Sequence, residues 1–381
     1  MIGEPNIALM MNHNAPSRRR VGAGVLVALA LSIGVAACGS DAETGADETT
    51  DVDPAPATDA VTTEAPGTTE AAPSDTVTDD TEPVEAAAFP VTIDHAFGST
   101  VIEAQPEAVV SASGTMTGHL LAIDAPVIAA QVLPPTSPLA DENGFLLQWA
   151  DVAVEDGVVA IAGPEVNIEA IAAQDPDLIV GNSFGGDAVT EDVYALLSEI
   201  APTIVIDHSA MQWQELAVIL ADATGQQEEA QAVIEEFDAH VAEIAPTLDT
   251  TYEVVAGVIT ESGINMFTSE SSHGKLIESL GLTLHEITGG ILEGEAGAQE
   301  RSDVVSVSPE LSPDAYGDST VLFVFAEQAD IDAALGLYPT HGVTPAATDG
   351  RLFPLGVESF RLDMYSATLV TDRIAEQLAA S

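Results

Sequence analysis

Positive charge is what this sequence has least of. Eight Lys+Arg stand against 62 Asp+Glu, a formal net charge of −54 over 381 residues. A protein that binds nucleic acid through its phosphates needs a basic surface to release counterions, so that class is excluded. Docking on anionic lipid head groups is disfavoured for the same reason. Cysteine is nearly absent too: the single residue, Cys38, excludes an internal disulfide framework, an iron–sulfur cluster and a cysteine-built zinc site. The histidines are dispersed, at His95, His119, His208, His240, His273, His285 and His341 within the later part of the chain, with no close pair. That spacing argues against direct capture of a zinc or manganese ion. Hydrophobic residues nevertheless make up 46% of the chain, too many for a wholly disordered protein.

The few basic residues are placed informatively. Arg18, Arg19 and Arg20 precede seventeen uncharged residues, 21–37. A basic stretch, an apolar run and small residues before a cut site make an export signal, and the run is short for a membrane span. Its end, Val35-Ala36-Ala37-Cys38-Gly39, resembles the bacterial lipoprotein signal, in which the cysteine receives lipid. Residues 1–37 are therefore read as a signal peptide and Cys38 as a lipidation site. The expected location is extracytoplasmic, on the outer face of the cytoplasmic membrane, with the N-terminal lipid as the only membrane contact. Residues 39–88 contain 11 Thr, 11 Ala, 14 Asp+Glu and 5 Pro, with no Leu, Ile, Met, aromatic, Lys or Arg. Such a segment buries too little apolar surface to offset its ordering entropy, and residues 38–88 read as an acidic disordered tether.

From residue 89 onward, short apolar runs alternate with helical patterns. Strands are expected at 108–111, 127–131, 178–180, 203–206, 254–260, 321–325 and 351–354. Helices are expected at 118–123, 168–174, 191–200 and 213–223. This alternation predicts an α/β fold with parallel sheets. One stretch differs: Ala230, Val233, Ile234, Phe237, Val241, Ile244 and Leu248 recur at steps of three and four. They mark one face of a long helix over residues 226–250. That helix divides an N-terminal lobe, 89–225, from a C-terminal lobe, 251–381, with a cleft between them suited to a ligand.

Several segments resemble the periplasmic-binding-protein family of ABC importers for iron(III)-siderophores and cobalamin. The run from Asn167-Ile168-Glu169 to Pro176-Asp177-Leu178-Ile179 is similar to the family's helix-to-strand signature. Residues 89–98 resemble its opening hairpin, and Pro106-Glu107-Ala108-Val109-Val110 its entry into the first strand, with Ala108 where the family usually has Arg. Ile200-Ala201-Pro202-Thr203, Trp213 and Ile277-Glu278-Ser279-Leu280-Gly281 also fit. The resemblance implies two Rossmann-like lobes joined by a single long backbone helix, a monomer, no catalysis and no resident cofactor or metal. The ligand would be an iron(III)-siderophore, with cobalamin or haem as alternatives on the same fold, and the partner an ABC permease. In the family a Glu on each lobe meets permease arginines, which casts Glu169 and Glu310 in the docking role. Asn167 and Ser308 are each expected to cap a helix whose second residue is that Glu.

For the ligand, Arg301 after the Gly-rich loop 289–299 and Arg361 in Glu358-Ser359-Phe360-Arg361 fall on loops that reach the family's cleft. Arg351 and Arg373 read as structural. Residues 89–224 contain no Lys or Arg, so a basic triad spread over both lobes is not expected. A neutral or cationic iron(III) hydroxamate suits such a pocket better than a catecholate. Trp149, Ser183, Phe184, Phe267 and Tyr365 complete the candidate ligand contacts. One reading of another class competes. Gly181-Asn182-Ser183-Phe184-Gly185 follows a strand in the nucleophile-elbow pattern of α/β-hydrolases, with His341 downstream. No oxyanion loop precedes it, and the long central helix is foreign to that core.

Overall fold

The computed structural model describes residues 89–163, 165–209, 211–260, 263–287 and 302–380. The signal segment, Cys38, the tether, the Gly-rich loop and Arg301 lie outside the described residues. Two five-stranded sheets form the two lobes. The first contains β3 (Val109–Ser111), β4 (Val127–Gln131), β5 (Val159–Ile161), β6 (Leu178–Asn182) and β7 (Thr203–Ile206), all parallel in the order β5-β4-β3-β6-β7. That is a doubly wound order, and its direction reverses between β3 and β6. An antiparallel hairpin, β1 (Val91–His95) and β2 (Gly98–Ile102), lies along β7, tied by Ala96 N to Val205 O at 2.9 Å.

The helices of this lobe are α1 (Gly114–Ala122), α2 (Ala150–Glu155), α3 (Ile168–Ala172), α4 (Glu191–Leu197) and α5 (Trp213–Thr224). Helix α1 is buried from Gly114 to Leu121, including its polar residues Thr115, Thr117 and His119. It begins four residues before the sequence pattern suggested. The reason is local: residues 114–117 are small or apolar, and the Ser113 hydroxyl is engaged elsewhere. It donates to Asp187 O at 2.8 Å and accepts from Asn182 N at 3.1 Å.

Helix α6 (Gln227–Ile244), extended by a 3-10 turn at Ala245–Thr247, leads into the second lobe. Its buried residues Ala230, Phe237 and Val241 fall on the predicted face. The second sheet is ordered β10-β9-β8-β11-β12. Strands β8 (Val254–Thr260), β11 (Thr320–Phe323) and β12 (Leu352–Pro354) run parallel, while β9 (Gly263–Phe267) and β10 (Val304–Val307) are antiparallel additions. Neither addition was expected. The β8–β9 hairpin needs no crossover helix, so no change of periodicity announces it, and β10 is only four residues long. Around this sheet lie α7 (Ser272–Ser279), α8 (Ser312–Tyr316), α9 (Gln328–Leu337), α10 (Pro345–Thr348) and α11 (Met364–Gln377).

The lobes share one apolar core. Met116 and Leu120 of α1, Phe237 and Val241 of α6, Ala256 and Val258 of β8, and Ala367, Val370 and Ile374 of α11 belong to a single buried cluster. Helix α1 meets α11 at Gly118. A methyl group on Gly118 would stand 2.5 Å from Asp363 Oδ2 and 2.6 Å from the Trp149 ring, so only glycine fits.

Candidate functional site

In an open, doubly wound sheet, ligands gather where the strand order reverses, outside the carboxyl ends of the strands. Here that point lies above Ser111 of β3 and Asn182 of β6. The loop after β6 supplies Ser183, Phe184 and Asp187. Asn182 Oδ1 accepts from Phe184 N at 2.9 Å, which sets the loop's exit, and the Phe184 ring is 40% exposed. It meets His208, in the loop after β7, edge to face at 6.2 Å. Asp187 turns back onto α1. Its Oδ2 accepts from Thr115 N at 2.9 Å and Thr115 Oγ1 at 2.8 Å, capping a helix that its own Ser113 does not cap.

The second lobe faces this floor with the segments after β9, β11 and β12. Arg361 Nη1 donates to Asp187 Oδ1 at 3.1 Å, an ion pair that crosses from lobe to lobe. Burial pushes the Asp187 carboxyl up, but Arg361 and the two Thr115 bonds outweigh it and hold the group below the ordinary carboxylate range. Phe360 and Phe325 pack ring to ring at 5.4 Å beside Arg361. Phe325 carries a φ of 57°, unusual for a bulky residue, and is held there by its N–H to Ser359 Oγ at 2.9 Å. Phe267 stacks on His273 at 4.4 Å, and His273 Nε2 donates to Ser359 O at 2.7 Å.

Two histidines lie beneath the first-lobe side. His119, on the second turn of α1, is fully enclosed, and burial with nearby His208 depresses it to about 3. Burial also lowers His208, and the Arg361 charge adds to this. His119 Nδ1 and His208 Nε2 have no hydrogen-bond partner among the described residues. Both rings are therefore neutral at ordinary pH, and the floor carries aromatic and neutral polar groups around one compensated ion pair.

The expected site residues separate into groups. Ser183 and Phe184 lie on the loop after β6, Phe267 ends β9, and Arg361 follows the 3-10 turn Val357–Phe360. Trp149 belongs instead to the core: it is 1% exposed and tilted against Phe145 at 5.8 Å. Tyr365, the second residue of α11, is half-buried, and burial, then the Asp363, Asp124 and Asp156 carboxylates, push its phenol up. Phe325, Phe360, His119, His208 and Asp187 were missed. Phe360 directly precedes Arg361, and Asp187 is the only acid in the loop after β6, so each carried a signal.

Glu169 stands as expected at the second position of α3. Gln131 Nε2 binds Glu165 O at 3.2 Å to fix the preceding loop, and Asn167 Oδ1 accepts from Ala170 N at 3.0 Å. The side chain is exposed. Glu310 is exposed as well, but its helix cap is a correction. Ser308 O accepts from Leu311 N at 3.1 Å, closing a turn, and α8 starts only at Ser312 with Pro313 in its first turn. Two Ser-Pro pairs compete for the helix start, and the second takes it. The hydrolase alternative fails on geometry. His341 is 1% exposed, with Nε2 on Ser312 Oγ and Nδ1 on Tyr316 OH, each at 3.0 Å, so it has no nitrogen for Ser183. Arg351 is bound to Asp318 at 2.6 Å and Asp349 at 3.2 Å, and Arg373 to Glu358 at 3.0 Å, the structural roles expected of them. A cavity of about 50 Å³ between Trp213, Phe237 and Leu276 lies in the seam of α5, α6 and α7 rather than in the cleft, and is too small for a chelate.

Comparison with known proteins supplies the remaining findings. Residues 108–283 match the family described as "Periplasmic binding protein". The chain is 38% identical over 296 residues to the ferric enterobactin-binding periplasmic protein FepB of Escherichia coli O6:H1, covering 76% of this chain and 92% of that one. It is 29% identical over 245 residues to the probable siderophore-binding lipoprotein YfiY of Bacillus subtilis, covering 63% and 70% respectively. Among solved structures, holo-ViuP superposes with a TM-score of 0.67 at 28% identity, covering 77% of this chain and 96% of that one.

Proposed function

Since this chain belongs to the periplasmic binding protein family, we propose that it captures an iron(III)-siderophore complex outside the cytoplasmic membrane and delivers it to an ABC permease. It is a binding protein and not an enzyme. The observation that carries the reading is the 38% identity over nearly the whole of a protein named for binding ferric enterobactin. The cleft is consistent with such a cargo. Phe184, Phe267, Phe325 and Phe360 offer apolar surface to a bulky chelate, and Arg361 offers one cation. Burying apolar area is favourable by about 25 cal/mol per Å², so the rings favour a bulky, partly apolar cargo.

Within the siderophores, an iron(III) hydroxamate is the favoured type. The first lobe has no Lys or Arg, and Arg361 is already compensated by Asp187. Ferric enterobactin, the named ligand of the 38% identical relative, is the competing chelate. Docking on the permease falls to exposed Glu169 and Glu310, one on each lobe. Cys38 provides the lipid anchor, as the printed name of the Bacillus subtilis relative supports.

Titration of the chain with an iron(III) tris-hydroxamate, ferric enterobactin, haemin and cobalamin, followed by tryptophan fluorescence, tests the proposal. Saturable binding of a ferric chelate, tightest for the hydroxamate, is expected. Tighter binding of ferric enterobactin would reverse the choice of type. Binding of haemin or cobalamin alone would overturn the siderophore reading.

A further inference from the structure

We propose that Asp187 is a specificity-determining residue that competes with the ligand for Arg361, a role that rests on the siderophore reading above. The two side chains come from opposite lobes, Asp187 from the loop after β6 and Arg361 from the segment after β12, and meet at 3.1 Å. They are held unequally. Asp187 is anchored within its own lobe through Oδ2, by the Thr115 amide and hydroxyl at the amino end of α1. A carboxylate at the start of a helix is stabilised in its charged form. Its side chain is 15% exposed, against 29% for Arg361.

Arg361 lacks such anchoring. Its guanidinium donates to Asp187, the one ion-pair partner that the described residues give it. The guanidinium carries five donors in a planar fork. A fixed anion thus faces a long cation that can be redirected. A chelate with net negative charge must share Arg361 with Asp187 or draw it away, and in either case it approaches a carboxylate that stays in place. A neutral chelate makes no such exchange. The nearby rings of His119 and His208 are neutral and offer no compensating charge. No Lys or Arg of residues 89–224 can replace Arg361 on the first-lobe side. The pair therefore lowers affinity for anionic chelates relative to neutral ones, and Asp187 sets the size of that preference.

The test uses the full chain and its Asp187→Asn variant, which keeps an acceptor for Thr115 and removes the charge. Each is titrated with a neutral iron(III) tris-hydroxamate and an anionic iron(III) tris-catecholate, following tryptophan quenching. The ratio of the two dissociation constants should move about tenfold toward the anionic chelate in the variant, equal to about 1.4 kcal/mol. In an Arg361→Ala background the competition for the cation is gone and only direct repulsion by Asp187 remains, so the shift should be smaller; an equal or larger shift would assign the preference to repulsion and overturn the competition for Arg361. Asp187→Ala carries the same expectation and serves if Asp187→Asn does not fold. An unchanged ratio in variants that still bind would overturn the role of Asp187 and leave the siderophore reading standing. No binding of either chelate by any form, wild type included, would overturn both.

Discussion

Acidification should destabilise this protein through two enclosed imidazoles, His119 and His273. Burial holds His119 at about 3 and His273 at about 4, the latter despite its bond to Ser359 O. An unfolded histidine titrates near 6.5. Both groups thus have a folded pKa below the unfolded value. Their stabilising contribution is complete above about pH 6.5 and is lost as pH falls toward 4 and 3. Between pH 7 and pH 5 the unfolded chain takes up about 0.7 proton at each site while the folded chain takes up almost none. The loss is about 2 kcal/mol per histidine and about 4 kcal/mol for the pair, a large share of a typical stability of about 5–15 kcal/mol. Two effects oppose it: buried Asp363, whose carboxyl burial pushes up, favours the folded state as pH falls, and so does relief of the net negative charge. The test is therefore comparative. Urea unfolding of wild type, His119→Gln and His273→Gln at pH 7, 6 and 5 gives three slopes of stability against pH. Each variant should be flatter than wild type by up to about 1.4 kcal/mol per pH unit. Identical slopes in all three would refute the reasoning.

Gly118→Ala is expected to destabilise the protein although alanine is the better helix former by about 1 kcal/mol. The added methyl would meet Asp363 Oδ2 and the Trp149 ring, and overpacking of this kind costs about 1–3 kcal/mol; a raised melting temperature would show that the α1–α11 contact yields. Glu169→Lys should impair uptake of iron(III)-siderophore in cells while purified protein binds its ligand normally. The lost helix-dipole interaction accounts for only about 0.3–1 kcal/mol of stability, and transport at the wild-type rate in both Glu169→Lys and Glu310→Lys would remove the docking role. Metabolic labelling with a lipid precursor should mark the wild type and not Cys38→Ser, and equal labelling of the two would rule out the anchor.

The long helix was legible because its apolar residues repeat over many turns, and the first-lobe strands because parallel strands buried on both faces read as apolar runs. Strand β5 escaped notice: Val159–Ile161 is three residues at a sheet edge, with two of them exposed. Glu169 could be placed because Asn167 is the only cap residue near it. Glu310 could not, because Ser308-Pro309 and Ser312-Pro313 carry the same local signal and tertiary contacts decide between them. Trp149 shows the same limit from the other side. A tryptophan near a cleft and a tryptophan in a core have the same sequence appearance, and only the close approach of Gly118 separates them. The Asp187–Arg361 pair spans 174 residues, a distance over which no local pattern carries information.

Helix α11 has a consequence for how the chain comes into being. It is the last helix, Met364–Gln377, yet Ala367, Val370 and Ile374 complete a core that begins with Ile93. Helices α1 and α6 already pack on α5 within the earlier chain, but the part of their apolar surface that α11 covers stays open until those final residues emerge during synthesis. The seam between the lobes is therefore the last part of the core to close. Truncation after residue 362 should accordingly leave a product that proteases digest faster than the full chain.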